Sequence, residues 1–334
     1  MTVTIKDVAK LAGVSPTTVS RVLNDSYLVK EDTARQVMDA VQKLNYKPNE
    51  SARVLRTRNS RLIGFIGSGM ENIFLANLLK GIETEALENG YNVLFGDSAG
   101  ELERELHYLK NMEQKQVEGI IITSANANLQ LMNAIRESSV PVVFASANID
   151  EPDIASVGVD NLTAAFEAVN YLLKGGHSRI GIIRGTYADT VSSGERMKGV
   201  RLALKNCDLV IKDEMIIEGD FSFQSGYTGA EELLEKDSSL TAIFAFNDEM
   251  AIGAMRAVEK MGKCVPDDIS ILGFDNIELS SYVRPALSTV HQSGHYLGNK
   301  SLQLLNRMLN DDDGEKKLFI PHKLIVRKST RQLH

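Results

Sequence analysis

Several short apolar runs beyond residue 62 end in residues suited to gripping a hydroxylated small molecule. Ser146, Asp160 and Arg184 each close one run, and Arg196 follows at the start of a later helical stretch. Asp220-Phe221, Asn247-Asp248 and Asp275-Asn276 follow three more, and Gln292 sits near the last return of the chain. Arginine and the amides donate paired N–H groups, carboxylates accept, and one aromatic face suits the C–H face of a sugar ring. Each residue alone also reads as ordinary loop polarity, and an Asp after a strand often caps a helix. Their common position at run ends is the argument for a site.

A second group lies near the amino terminus. Thr17, Thr18, Ser20 and Arg21 interleave with Val19, Val22 and Leu23. Hydroxyls position a protein on phosphates, and a guanidinium reads a guanine edge. Catalysis finds no comparable set: there is no nucleophile elbow, phosphate-binding glycine loop or metal-ligand spacing. Among the six histidines (107, 177, 291, 295, 322 and 334), His291 and His295 are four apart. They have no third ligand in reach and read as surface or interface residues. Cys207 and Cys264 make neither a disulfide framework nor a cysteine metal site. No enzyme activity, cofactor or metal is expected.

The charge balance separates the two groups. The 334 residues carry a net −7, yet residues 1–61 hold 11 Lys and Arg against 6 Asp and Glu. A basic head on an acidic body suits an anion-binding module joined to something that need not touch nucleic acid. The chain is long for one hydrophobic core, so several domains are expected. No apolar run is long enough to span a membrane and the start lacks an export signal, which predicts a cytoplasmic protein.

The head spacing predicts a helix-turn-helix. Thr4 caps a first helix carrying Ile5, Val8, Ala9 and Leu11, with Asp7 at capping-box distance. Gly13 ends it, Ser15 caps a second helix, and Pro16 takes its first turn. A third helix over 31–44 buries Ala34, Val37, Met38, Val41 and Leu44. Any small three-helix bundle would share this pattern. The stretch 50–57 exposes Leu55 between Arg53 and Arg56, and is too short to be helical alone. It reads either as a linker or as a segment that folds against DNA, wedging a leucine into the minor groove.

From Leu62 strands alternate with helices: 62–66, 91–96, 119–124, 140–146 and 155–160, then 179–185, 215–220, 242–247 and 269–275. Helices at 74–89, 101–115, 128–138, 161–174, 194–206, 224–236, 248–261 and 294–309 separate them, and short strands follow near 318–328. This is an α/β pattern of parallel sheets in two similar halves, whose ligand cleft lies at the carboxyl ends of the strands.

Residues 4–24, Tyr46 and the run Pro48-Asn49…Ala52-Arg53…Leu55 resemble the LacI/GalR family of bacterial repressors. Phe246-Asn247-Asp248-Glu249-Met250-Ala251, Gly273-Phe274-Asp275-Asn276 and Arg284-Pro285-Ala286-Leu287 extend the likeness through the body. The resemblance implies a periplasmic-binding-protein type I core of two doubly wound lobes behind an all-α helix-turn-helix headpiece. The expected division is a DNA-binding domain over 1–47 and a hinge helix and linker over 48–61. Residues 62–160 with 293–321 would form one lobe, and 161–292 with 322–334 the other. It further implies a homodimer on pseudo-palindromic operator DNA. Pro16, Thr17 and Arg21 would read bases, and Thr4, Ser15, Thr18, Ser20, Asn24, Thr33 and Asn49 would meet phosphates. Leu55 would intercalate and Arg56 would take a minor-groove position, with Arg53 also counted among the DNA-binding residues. Pro16 departs from members with a hydrogen-bonding side chain there, so it reads only shape or a thymine methyl. The implied effector pocket is Asn72, Phe74, Ser146, Arg184, Arg196, Phe221, Asn247, Asp275 and Gln292. Ser146 replaces an Asp found in many sugar-responsive members. Arg184 replaces a small residue, and favours an anionic ligand if it faces the cleft rather than an ion-pair partner or solvent.

Three functional readings compete. One is a repressor answering to a sugar or sugar phosphate. Another follows from likeness to the catabolite-control branch of the family, in Asn72-Ile73-Phe74, Leu106-His107 and Val283-Arg284-Pro285. It implies serine-phosphorylated HPr docked on helix 294–309. There Gln303 stands where a phosphate-binding arginine is expected, and Lys300 offers a point charge without the bidentate fork. A periplasmic sugar-binding protein is the third, disfavoured by the DNA-reading head.

Overall fold

A computed structural model describes residues 3–23, 29–46, 60–125, 127–147, 149–312 and 314–333. The chain divides into two compact units, Met1–Ser60 and Arg61–His334. Asn24, Asn49, Arg53, Leu55 and Arg56, named above for DNA contact, lie outside the described residues, as does the 50–57 stretch.

The first unit holds α1 (Ile5–Ala12), α2 (Pro16–Leu23) and α3 (Glu31–Lys43). Val8, Ala9, Val19, Val37 and Ala40 form its core, with Leu44 and Tyr46 packed beside them. Gly13 adopts φ +67, the left-handed conformation that lets the chain turn sharply out of α1. Met38 was expected in this core but is 50% exposed. It lies about 100° around α3 from Val37, on the side away from α1 and α2.

The second unit contains two sheets. The first is built from β1 (Leu62–Gly67), α4 (Ile73–Glu88), β2 (Asn92–Asp97), α5 (Leu102–Gln114), β3 (Gly119–Ile122), α6 (Leu129–Arg136), β4 (Val142–Ala145) and β5 (Ala155–Gly158). The second follows with α7 (Asn161–Lys174), β6 (Ile180–Arg184), α8 (Ser193–Lys205), β7 (Ile216–Glu218), α9 (Phe223–Lys236), β8 (Ala242–Ala245), α10 (Asp248–Lys260), β9 (Ser270–Asp275), α11 (Leu279–Tyr282) and β10 (Ser288–His291). Then α12 (Gly294–Leu309) and β11 (Lys317–Phe319) return to the first sheet, and β12 (Lys323–Ile325) goes to the second.

The strand orders are β11-β5-β4-β3-β1-β2 and β12-β10-β9-β8-β6-β7. Every pairing is parallel except β10 with β12, which is antiparallel. The chain therefore passes between the sheets after β5, β10 and β11. The sequence pattern assigns no element to 276–293. The four-residue elements α11 and β10 found there are too short to show periodicity, although β10 pairs with β9 inside the sheet.

Strands buried on both faces are apolar throughout, and Phe65, Phe144, Phe244, Phe246 and Phe274 are all but sealed from solvent. Each such ring contributes roughly 1.5–3 kcal/mol by burial. Helices α4 and α12 cross at glycine. A Cβ on Gly81 would meet the His295 carbonyl oxygen at 2.0 Å, and one on Gly298 would meet that of Leu78 at 2.0 Å.

Candidate functional site

In the head, the amino end of α2 carries the exposed polar surface. The Ser15 hydroxyl accepts from the Thr18 N–H at 3.1 Å and pairs with the Thr18 hydroxyl at 2.9 Å. Pro16, Thr17 and Arg21 are exposed, and the four-residue spacing of Thr17 and Arg21 puts them on one face. Thr4 is exposed; its N–H (2.9 Å) and hydroxyl (2.7 Å) both donate to the Asp7 carboxylate, which holds that carboxyl below its ordinary range. Thr18 and Thr33 are half-buried. Ser20 corrects the sequence reading: at 8% exposure it is covered and not part of the outer face. It adjoins Val19 and lies one turn before Leu23, so the small side chain falls within the buried stripe.

In the body, α8, β8, β9 and β10 bring four of the expected residues together. Arg196 is 4% exposed. Its Nε donates to Asn161 Oδ1 at 2.9 Å, one Nη donates to the Phe246 carbonyl, and its guanidinium lies 3.6 Å from the Phe274 ring centroid. Burial lowers its pKa, while Asp275, Asp189 and Asp248 work against that. Asp275 adopts φ +110. Its Oδ1 accepts from Gln292 Nε2 at 2.7 Å. Burial raises the Asp275 carboxyl to about 7, against the pull of Arg196. Gln292 Oε1 is buried with no hydrogen-bond partner among the described residues.

Phe221 adopts φ +69, and its ring lies so close over Gly185 that a Cβ there would be 2.1 Å from Cζ. Ser146 (φ +73) and Asn276 (φ +58) share this strained backbone region. Such strain gathers where a site over-determines the chain. Asn247 is committed to the scaffold. Its Oδ1 accepts from the Met250 N–H at 2.9 Å, and its Nδ2 donates to the Phe221 carbonyl and to Glu249 Oε2, both at 2.8 Å. Both N–H groups are thereby used, so in this arrangement Asn247 supports Phe221 rather than offering a donor to the cleft. Asp248 is similarly structural, accepting from the Thr289 hydroxyl at 2.5 Å and the Ile277 N–H at 2.8 Å. Burial and the nearby Asp275 push its carboxyl well up.

The lobes touch across the cleft. Glu249 Oε1 accepts from the Ile73 N–H at 3.0 Å, and the Thr190 N–H donates to the Ala125 carbonyl at 3.0 Å. Val191 joins the apolar cluster of the first lobe that holds Ile66, Leu131 and Ile149. Burial raises the Glu249 carboxyl, with the Ile73 N–H opposing. Sequence reasoning placed Glu249 in a family motif and gave it no role. The available signal was a carboxylate two residues beyond a helix-capping Asn.

The other expected pocket residues sit differently. Asn72 caps α4, its Oδ1 accepting from the Leu75 N–H at 3.0 Å, and Phe74 belongs to the main apolar core. Ser146 is half-buried at the end of β4. Arg184 is 8% exposed. Its Nε donates to the Gly185 carbonyl at 3.2 Å and its guanidinium lies 4.2 Å from the Tyr187 ring centroid. It has no carboxylate within ion-pair distance among the described residues. Asp160 caps α7 through Thr163, at 2.9 Å to its N–H and 2.6 Å to its hydroxyl. Among the described residues no cluster of His, Cys, Asp and Glu could hold a metal, and no helix is long and apolar enough to cross a membrane.

A helix-turn-helix head and two doubly wound lobes facing a polar cleft define a transcription regulator with a ligand-binding-type body. Two protein-family models match: "Bacterial regulatory proteins, lacI family" over residues 4–49, and "Periplasmic binding proteins and sugar binding domain of LacI family" over residues 60–328. The chain belongs to the LacI family and is a DNA-binding transcriptional repressor. It is 39% identical over 332 residues to catabolite control protein A of Priestia megaterium, covering 99% of this chain and 100% of that one. It is 35% identical to the HTH-type transcriptional repressor PurR of Aliivibrio salmonicida, covering 99% of each. The Lac repressor dimer bound to operator and the anti-inducer ONPF superposes with a TM-score of 0.90 at 30% identity, over 99% of this chain and 100% of that one.

Proposed function

We propose that this cytoplasmic repressor acts as a homodimer on a pseudo-palindromic operator, and that a sugar or sugar phosphate bound between the lobes sets its operator affinity. Under this reading residues 1–47 grip DNA, with Pro16, Thr17 and Arg21 toward the bases, and 48–61 form the hinge. Residues 62–160 with 293–321, and 161–292 with 322–334, are the lobes that change angle. The observation that carries the reading is the gathering of Arg196, Asp275 and Gln292 at the carboxyl ends of β8, β9 and β10, where Asn247 also holds the Phe221 carbonyl. Among the described residues only two N–H groups of Arg196 have protein acceptors, and the Gln292 Oε1 has no donor. A vicinal diol on the Phe221 face matches those groups. The effector acts through its differential affinity for the two lobe arrangements. A buried guanidinium with no carboxylate within ion-pair distance among the described residues, at Arg184, favours an anionic substituent on that effector. Titration with sugars and their phosphates tests this: an Arg184→Ala protein with an unchanged phosphate preference removes that part.

A second reading has the support of the 39% identity to catabolite control protein A and of a groove of about 640 Å³ beside α12, lined by Tyr296, Lys300, Gln303 and Arg307. Serine-phosphorylated HPr would dock there. Against it, the Gln303 amide donates to Glu85 Oε2 at 3.0 Å, which sets a carboxylate where a phosphate would sit. The deciding experiment is a gel shift on a palindromic operator with sugars, sugar phosphates and phosphorylated HPr. A response to a sugar carries the first reading, and tightening by the carrier protein alone replaces it with the second.

A further inference from the structure

A line of hydrogen bonds runs from the pocket aromatic to the opposite lobe. The Phe221 carbonyl accepts from Asn247 Nδ2 at 2.8 Å, the same nitrogen donates to Glu249 Oε2 at 2.8 Å, and Glu249 Oε1 accepts from the Ile73 N–H at 3.0 Å. Ile73 is the first residue of α4, whose leading N–H groups have no acceptor within the helix. Asn72 satisfies the Leu75 N–H, so the Ile73 N–H falls to Glu249. That carboxylate is buried, and it faces the positive end of the α4 dipole.

The other end of the line is equally constrained. The Phe221 ring fits over Gly185 only because that residue lacks a side chain, and the Phe221 backbone is held at φ +69. A ring pressed from the cleft side has little room to yield, so its displacement is felt at the carbonyl that Asn247 holds.

We propose that Glu249 is a positioning residue that couples the Phe221 platform to the start of α4. Seating of a ligand ring on Phe221 is then transmitted to the opposite lobe through protein hydrogen bonds, and not solely by the ligand bridging the cleft. What sits on Phe221 rests on the effector reading above; the line itself is complete in the chain alone.

The chain has no tryptophan, so Phe221→Trp in the full-length protein installs a single fluorophore at the platform. In that background Glu249→Ala and Glu249→Gln are compared without ligand, by tryptophan emission and by hydrogen exchange at the Ile73 amide. Glu249→Ala removes both bonds: Ile73 protection falls by about tenfold or more and the emission shifts. Glu249→Gln keeps an oxygen for Ile73 but turns its amide N–H groups on Asn247. The emission therefore shifts while Ile73 protection stays within about twofold. A group that merely supports the fold would move both readouts together in both variants. Emission unchanged by both substitutions, or Ile73 protection unchanged by Glu249→Ala, overturns the proposal. D-glucose, D-ribose and D-glucose 6-phosphate are then added. A sugar that shifts the emission slows Ile73 exchange in the parent and not in Glu249→Ala; a shift with no response at Ile73 also overturns it. Silence from all three sugars counts against the sugar reading alone, since the coupling is judged by the ligand-free arms.

Discussion

Gln292 donates its amide N–H to Asp275 at 2.7 Å and leaves its own carbonyl oxygen buried without a partner among the described residues. The pair thus stands half-satisfied at the carboxyl ends of β9 and β10. An unmet buried acceptor costs about 1–3 kcal/mol, which a ligand hydroxyl would recover on binding.

Asp275 makes folding depend on pH in a defined window. Its carboxyl titrates near 3.8 when unfolded and at about 7 when folded. Between those values the folded protein holds a proton that the unfolded chain has released. Stability therefore falls as pH rises through the window, by up to ~1.4 kcal/mol per pH unit, and levels off above it. Asp275→Asn removes this contribution. Urea melts at about pH 4.5, 6 and 8 should show a flatter profile than the parent; parallel profiles would refute the assignment.

Arg196 is the buried cation that Asp189, Asp248 and Asp275 surround. Arg196→Ala leaves these carboxylates without their counter-charge and the Phe246 carbonyl without its donor. The expected loss is about 3–5 kcal/mol in chemical denaturation at neutral pH. A loss below about 1 kcal/mol would mean the cluster neutralises itself by protonation.

Two substitutions separate building α2 from reading DNA. Ser15→Ala removes the acceptor of the Thr18 N–H and should lower head stability by about 0.5–2 kcal/mol. Arg21→Ala, on the exposed face, should leave the melt unchanged and weaken operator binding by about 1–3 kcal/mol in gel shifts. Equal binding by the Arg21 variant and the parent would take the base-reading role from that residue.

Gly298→Ala tests the crossing of α4 and α12. A methyl group there meets the Leu78 carbonyl oxygen at 2.0 Å, so the helices must separate. Overpacking of this kind costs about 1–3 kcal/mol. An unshifted thermal midpoint would show that the crossing is not tight.

Much of this was legible in residue order because long elements repeat their signals. The capped helices at Thr4 and Ser15, and the alternation of strand and helix from Leu62, repeat over many positions. β10 and α11 escaped because four residues carry no period. Ser20 was misplaced because residue type suggested an outer face, whereas coverage depends on how α2 seats against its neighbours. Asn247 and Glu249 show the limit for the site. Residue type announced a polar pocket, yet whether an amide meets ligand or scaffold depends on partners that the fold brings in from Phe221 and Ile73.

The return of the chain to the first sheet has a consequence for synthesis. α12 packs on β3, β4 and β5, and β11 supplies an edge to β5, yet both come from residues 294–319. While the ribosome is still translating the second lobe, the first sheet lacks this cover and the apolar cluster holding Ile121 and Val143 lacks Leu297, Leu302 and Leu305. A product truncated before α12 would therefore leave apolar surface of this sheet uncovered, and the first lobe is complete only once residues 294–319 have been made.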